Sequence, residues 1–183
     1  MGPRAARRST SGDDGASAVE FALLLPVFAM LAIGTISGGF AFHNWLSATH
    51  GAQESSRFAA TLSIDAGGGS ADLWLDEVTE RSLSASGLLV DDTHAIAGTS
   101  ACVALIAPGN FPQVARHVTV TTASDGLMTR SYAGGACPGL AVMTGDYVQV
   151  RITNPTDFNY LLAAATIDVT GKSVNRFEAI SLS

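Results

Sequence analysis

Charge is what this sequence has least of. Of 183 residues, 10 are Lys or Arg and 16 are Asp or Glu, so 14% are charged and the formal net charge is −6 at pH 7. A polyanion needs a basic face to lie against, and ten basic side chains spread over the whole length argue against nucleic acid as a partner. Cysteine is rarer still. Cys102 and Cys137 are too few for a disulfide-dense scaffold, and neither has a further Cys or His at ligand spacing to make a zinc site. Catalytic patterns are missing as well: His43, His50, His94 and His117 are scattered, no Ser-His-Asp or His-Glu-x-x-His arrangement occurs, and the adjacent Asp91 and Asp92 read as a turn. The expectation is therefore no enzyme, no metal and no cofactor. At 47% apolar residues, the chain has the composition of a folded domain with a greasy segment attached rather than of a disordered one.

The scarcity of charge is extreme in one place. Phe21 to Phe42 are 22 consecutive residues without an ionisable side chain, which as a helix cover roughly 33 Å, enough for a bilayer core of about 30 Å. Arg4, Arg7 and Arg8 precede this run, and the first formal charges after it are Glu54 and Arg57. The positive-inside rule then leaves the N-terminus in the cytoplasm and exports everything after about Trp45. A cleaved secretory signal is the competing reading, but its apolar region is usually shorter and ends at a small-x-small site. Arg7-Arg8 also hints at a twin-arginine signal, yet the polar run from Ser9 to Asp14 stands where such a signal would turn apolar.

A plain anchor does not explain Gly15-Ala16-Ser17-Ala18-Val19-Glu20-Phe21, which places a carboxylate one turn inside the greasy helix. An ionised acid at the centre of a spanning helix costs about 2.5–3.5 kcal/mol on insertion scales, so a functional role with a charge partner is the default. Cutting after Gly15 would create that partner, because the new amine on Ala16 lies four residues from Glu20 on the same helix face. The two charges could equally pair between neighbouring subunits.

This arrangement resembles the leader and N-terminal helix of type IV pilin-like proteins. More narrowly, Ala18-Val19-Glu20-Phe21-Ala22-Leu23-Leu24-Leu25-Pro26 resembles the signature of TadE-like pseudopilins of Flp, or tight-adherence, pilus systems. The resemblance implies a prepilin peptidase cutting between Gly15 and Ala16, and recognition between subunits through Glu20, Phe21 and Pro26. It also implies other pilin or pseudopilin subunits, an inner-membrane assembly platform and the lipid bilayer as partners. Pro26 removes one helix N–H and crowds the carbonyl of Ala22, which either softens a turn for extraction from the bilayer or makes a simple bend. Gly34-Thr35-Ile36-Ser37-Gly38 is a Gly-x-x-x-Gly string that allows a second helix to approach closely, though such strings also arise by chance.

Helical spacing continues outward through Trp45, Ala48, Ala52, Ala59 and Leu62, so residues 16–62 form one helix whose distal half offers an apolar stripe to a head. Glu54 and Arg57 read as a solvated pair on the opposite side. Gly67-Gly68-Gly69 stops the helix, and a second helix follows from a Ser70 cap to about Ser84, with Trp74 and Val78 on one face and Glu77–Arg81 as an i,i+4 pair. Beyond Gly87 the period becomes two. Strands are expected at 101–107, 117–122, 127–132, 147–153 and 166–177, with a hairpin at Ser124-Asp125-Gly126, a bulge or turn at Gly171, and a half-buried alternation in which Gln149, Arg151 and Thr153 face away from the core. Export makes a Cys102–Cys137 disulfide the expectation, with two free buried thiols as the alternative. The Asn175-Arg176-Phe177-Glu178 tail resembles the C-terminal strand of TadE-like proteins, although one aromatic separates the Arg and Glu, and an edge-strand charge pair would account for it equally well.

The reading is an α+β chain: a cytoplasmic prepilin-type leader at 1–15, a long transmembrane and stem helix at 16–62, and an exported head at 63–183 with a small antiparallel sheet packed on the helix. Its expected place is the cell membrane, single-pass with the head outside, or a pilus. Its expected role is minor pilin or pseudopilin in assembly of an Flp (Tad) pilus or related secretion filament. The alternative is an uncleaved, membrane-anchored extracellular binding domain.

Overall fold

The computed structural model describes residues 13–62, 71–106, 115–141, 145–160 and 163–176. Most of the leader, the triple glycine, Ser70, Phe177 and Glu178 lie outside the described residues. The first element is α1, Asp13–Thr61, a continuous helix of 49 residues that runs through Pro26. At about 1.5 Å per residue it is roughly 73 Å long. It has two unlike halves because its sequence does. Up to Phe42 large apolar side chains stand in the open, whereas Ala48, Ala52 and Ala59 are buried against the head. Ser55 and Ser56 are buried with them, completing a stripe of small residues that lets a helix lie close to a sheet.

A second helix, α2 (Ala71–Ala85), packs beside the stem. Trp74, Leu75, Val78 and Leu83 are buried and come from the apolar spacing of its sequence. The Trp74 indole N–H donates to the Leu62 carbonyl at 3.0 Å, which satisfies the one polar atom of the largest core side chain and ties α2 to the end of α1.

Five strands follow: β1 (Ser100–Ile106), β2 (Ala115–Thr122), β3 (Met128–Gly134), β4 (Tyr147–Tyr160) and β5 (Ala163–Arg176). They form one sheet in the order β3-β2-β1-β4-β5, and every neighbouring pair is antiparallel. Strand alternation puts Val103, Val118, Val120, Val148, Val150 and Ile152 on one face, where they meet α1 and α2 in a single core. The expected α+β layout of a long helix on a small antiparallel sheet is the observed one. The hairpin at 124–126 closes β2 onto β3, with the Leu127 N–H donating to Asp125 Oδ1 at 2.9 Å.

Five local expectations need correction. Glu77 does not pair with Arg81, nor Glu54 with Arg57; instead Arg81 reaches across from α2 to Glu54 of α1 at 2.8 Å and lies over the Phe58 ring. Both side chains are about half exposed, so the pair contributes at most about 1 kcal/mol. β4 and β5 are each 14 residues long rather than 7 and 12, because they go on pairing with each other after β1 has ended. Gly171 is not a bulge: it pairs in register with Ile152. Gln149 is not solvated but fully buried.

The fate of Gln149 explains the other face of the sheet. The segment after β3 folds back over it, so that Cys137 sits against Cys102 and Ala104, with Leu140 packed on them. The Gln149 side chain fixes this flap from below, donating to the Ala141 carbonyl at 2.7 Å and accepting from the Cys137 N–H at 3.3 Å. Arg151 donates to the Pro138 carbonyl at the same place. The Cys102–Cys137 disulfide closes the flap, joining positions 35 apart in the sequence with Cα atoms 5.8 Å apart, a distance usual for such bonds. Replacing both cysteines by alanine should lower the unfolding free energy of the full chain by about 4 kcal/mol on the chain-entropy account, less if the open flap stays seated on Gln149. Denaturant unfolding in detergent, compared with the wild type under oxidising conditions, measures this, and equal midpoints would show the bond to be dispensable.

Candidate assembly interface

The N-terminal end of α1, as far as about Ala32, is where most of the sequence-derived site residues gather, and it is unsupported by the head. Gly15, Ala16 and Glu20 are exposed, Phe21 is 64% exposed, and Pro26 lies one turn and a half further along the same free helix. Ala16 and Glu20 are one turn apart, as i,i+4 positions must be on a continuous helix. A Cβ added at Gly34 or Gly38 would meet nothing within 4 Å, so the Gly-x-x-x-Gly face has room for a further helix. Within Gly15–Thr61, this helix is long and apolar enough to cross a membrane, and none of its most apolar window is buried in the protein. A free helix with Phe, Leu, Val and Met on all sides is unstable in water, so it must be covered by lipid or by other helices.

The stem half is held by contacts that the sequence pattern did not announce. The Ser56 hydroxyl meets Ser173 at 2.7 Å and accepts from the Asn175 side-chain amide at 2.6 Å, so one buried serine of α1 anchors two residues of β5. Nearer the apolar half, Asn44 donates to the Thr156 hydroxyl at 2.9 Å. Backbones touch at two points. A Cβ on Gly171 would lie 2.2 Å from the Ala48 carbonyl oxygen, and one on Gly51 would lie 2.6 Å from the Ser86 Cβ. The run of Ala48, Gly51, Ala52, Ser55, Ser56 and Ala59 was the available signal. Small residues at helical spacing mean close approach as readily as low hydrophobicity.

Two further sets of polar groups stand out among the described residues. On one side α2 is latched to the sheet: Asp72 holds Arg116 at 2.6 Å, and Asp76 accepts from the Tyr132 hydroxyl at 2.6 Å with Arg130 at 3.6 Å. Burial and the hydrogen bond to Asp76 push the Tyr132 phenol up from 10.0 to about 12. Because the raised value favours the neutral phenol in the fold, its contribution to stability is present below pH 10 and lost as pH climbs through 12. An alkaline titration of tyrosine absorbance should show one of the three tyrosines ionising near pH 12, and Asp76→Asn should move that step down towards 10. A late step that Asp76→Asn leaves in place would mean the latch is open in solution.

The second set is the expected turn at Asp91. Asp91 Oδ1 accepts from the Thr93 and His94 N–H groups at 2.8 and 2.9 Å and faces the His94 ring at 3.0 Å. The Thr93 N–H foremost, then the His94 side chain, hold its carboxyl well below the usual carboxylate range. His117 contacts the Gly135 carbonyl at 3.1 Å, while His43 and His50 are exposed on α1. The structure does not bring the histidines together, and among the described residues no three His, Cys, Asp or Glu side chains are grouped to hold a metal.

The free helix and the stem are also the part of the chain that comparison with known proteins picks out. A family model described as TadE-like protein matches residues 15–57. No curated protein and no solved structure matches the chain. The matched segment begins at Gly15, includes Glu20 and Pro26, and ends two residues before Ala59, the last buried alanine of the stem. From the glycine ahead of the apolar helix to the residues that dock it on the head, the chain is similar to the TadE-like protein family.

Proposed function

We propose that this chain is a pseudopilin-type subunit that takes part in assembly of a Tad-type pilus or related secretion filament. The observation that carries the reading is the free end of α1, where Glu20 is the last ionisable residue before the uncharged run from Phe21 to Phe42, joined without a break to a separately cored head. Apolar helices of this kind can leave lipid for one another at little cost, since lipid tails and Leu side chains are equally apolar. The head stays outside the membrane, held by the stem. Contact and assembly are the work, not catalysis, and no cofactor enters it. Partners in this reading are a prepilin peptidase, other pilin or pseudopilin subunits, the inner-membrane platform and the bilayer, and the similarity of residues 15–57 to the TadE-like family supports it.

Cleavage after Gly15 removes three arginines and two aspartates, takes the charge from −6 to −7, and supplies Glu20 with an amine one helical turn away. The N-terminus is therefore the test. Mass spectrometry of the protein isolated from its own cell membranes should find a chain beginning at Ala16, and Gly15→Val should leave the leader in place. A chain beginning at Met1 in cells that process their other prepilins would leave the uncleaved extracellular binding domain as the reading.

A further inference from the structure

We infer that the β4–β5 hairpin is a second membrane contact, with its distal arms lying in the outer interfacial layer of the same bilayer that α1 crosses. The inference rests on the membrane-spanning reading of α1 and adds a site to it. β1 covers β4 only as far as Thr153, and among the described residues β5 is the one strand paired with β4 from Asn154 to Tyr160, through to the pair Tyr160–Ala163. Its direction is fixed by two contacts with α1: Gly171 against Ala48, and Thr156 bonded to Asn44. The ribbon therefore runs towards the apolar end of the helix.

How far it runs decides the matter. Eight residues from Gly171 to Ala163 span roughly 27 Å of strand, while from Ala48 back to Ile33 is roughly 22 Å of helix. On α1 the half-covered residues Ile33, Ser37, Ala41 and Asn44 recur every three or four positions and continue the buried stripe begun by Ala48, and β4 and β5 are strands that α1 packs on. The hairpin thus lies beside the last turns of the uncharged run. Below it lie Phe21 to Ala32, exposed at every position but Ala29, roughly 18 Å of uncharged helix, or about 25 Å if counted from Ala16, against a hydrocarbon core of about 30 Å. A bilayer that fits α1 must rise to the level of the hairpin.

The hairpin is composed for that position. Residues 158–167 carry no acidic or basic side chain, and Ile167 is 46% exposed on the strand surface. The flanking acids Asp157 and Asp168 are exposed, with Asp157 accepting from Thr166 at 2.7 Å. A two-stranded ribbon has open backbone edges that hydrocarbon cannot satisfy, so its depth is the headgroup and acyl boundary rather than the bilayer centre. No Lys or Arg occurs between Thr153 and Gly171, so the contact is apolar and independent of anionic lipid.

Environment-sensitive fluorophores on single added cysteines test this in the full chain reconstituted into phosphatidylcholine vesicles, with Cys102–Cys137 left oxidised. Three exposed positions suffice: Ala165→Cys on the hairpin, Leu31→Cys on the bare helix and Ser131→Cys on β3. The Ala165 label should be blue-shifted, quenched more by spin labels near the headgroup than at mid-chain, and unchanged by added salt. The Leu31 label should be quenched by mid-chain probes, and the Ser131 label by neither. An Ala165 label that behaves like Ser131 while Leu31 remains quenched overturns the hairpin contact and leaves the span intact. If Leu31 is also unquenched, the spanning reading falls and takes this one with it.

Discussion

Gly171→Val should detach the stem from the sheet. A Cβ at this position would stand 2.2 Å from the Ala48 carbonyl oxygen and 2.3 Å from its carbonyl carbon. Both are backbone atoms in the middle of a helix, so no rotamer change relieves the overlap, and β5 must move off α1. The seam bonds of Ser56 to Ser173 and Asn175 then open, since they depend on the same strand lying against the same helix. Overpacking of a close core contact costs about 1–3 kcal/mol even where side chains can shift, and here the obstacle is backbone, so the expected loss is at the top of that range or above. Gly171→Ala should show a milder version of the same defect. Protease resistance of the head and its denaturant midpoint in detergent give the comparison. A valine variant as stable as wild type would mean that helix and sheet are held further apart in solution than Ala48 and Gly171 require.

Glu20→Ala should have the opposite profile, with no loss of folding and a large loss of assembly. Glu20 is exposed on a part of α1 that the head does not touch, so the core has no stake in it. In the proposed filament its carboxylate meets the amine of Ala16, within the subunit or across to a neighbour, and apolar helices exclude water around the two charges. Removing one member of such a pair leaves the other buried and uncompensated, which is the costly case for a low-dielectric ion pair. Membrane insertion and head stability are expected to be unchanged, while incorporation into filaments falls by roughly a hundredfold, the scale of a lost buried pair partner. Subunit counts in sheared filaments, set against the amount in the membrane, read this out. Wild-type incorporation by the alanine variant would remove the charge-pairing account and leave apolar helix packing as the whole basis of assembly.

Much of this architecture was legible in the sequence because it rests on short-range periodicity. The uncharged run, the alanine spacing of the stem, the Trp74–Val78 face of α2 and the strand alternation each repeat within a few residues, and helix or strand geometry turns each repeat into a face. The candidate positions Gly15, Ala16 and Glu20 were singled out by the resemblance to pilin-like leaders and by the four-residue spacing of Ala16 and Glu20 on one helix face. The two cysteines are a different case: export suggested the disulfide, while its geometry depended on a flap folding back from β3.

What the sequence did not contain locally, the tertiary structure decided. Arg81 had an acid at i−4 on its own helix, yet pairs with Glu54, because α1 and α2 lie side by side and an exposed arginine takes the carboxylate that packing brings nearest. Gln149 alternates like a surface residue, yet is buried, because the strand rule fixes only which face a side chain takes and a flap from elsewhere decides whether that face is dry. Gly171 looks like a break in a strand, yet is the point where a helix backbone comes closest. By itself the sequence determined the elements, the faces and the lone acid at the head of the apolar helix, since these follow from steric and solvation rules acting over one or two turns. Only the fold decided partners, depth and crossing points, since these depend on which distant segments share a volume.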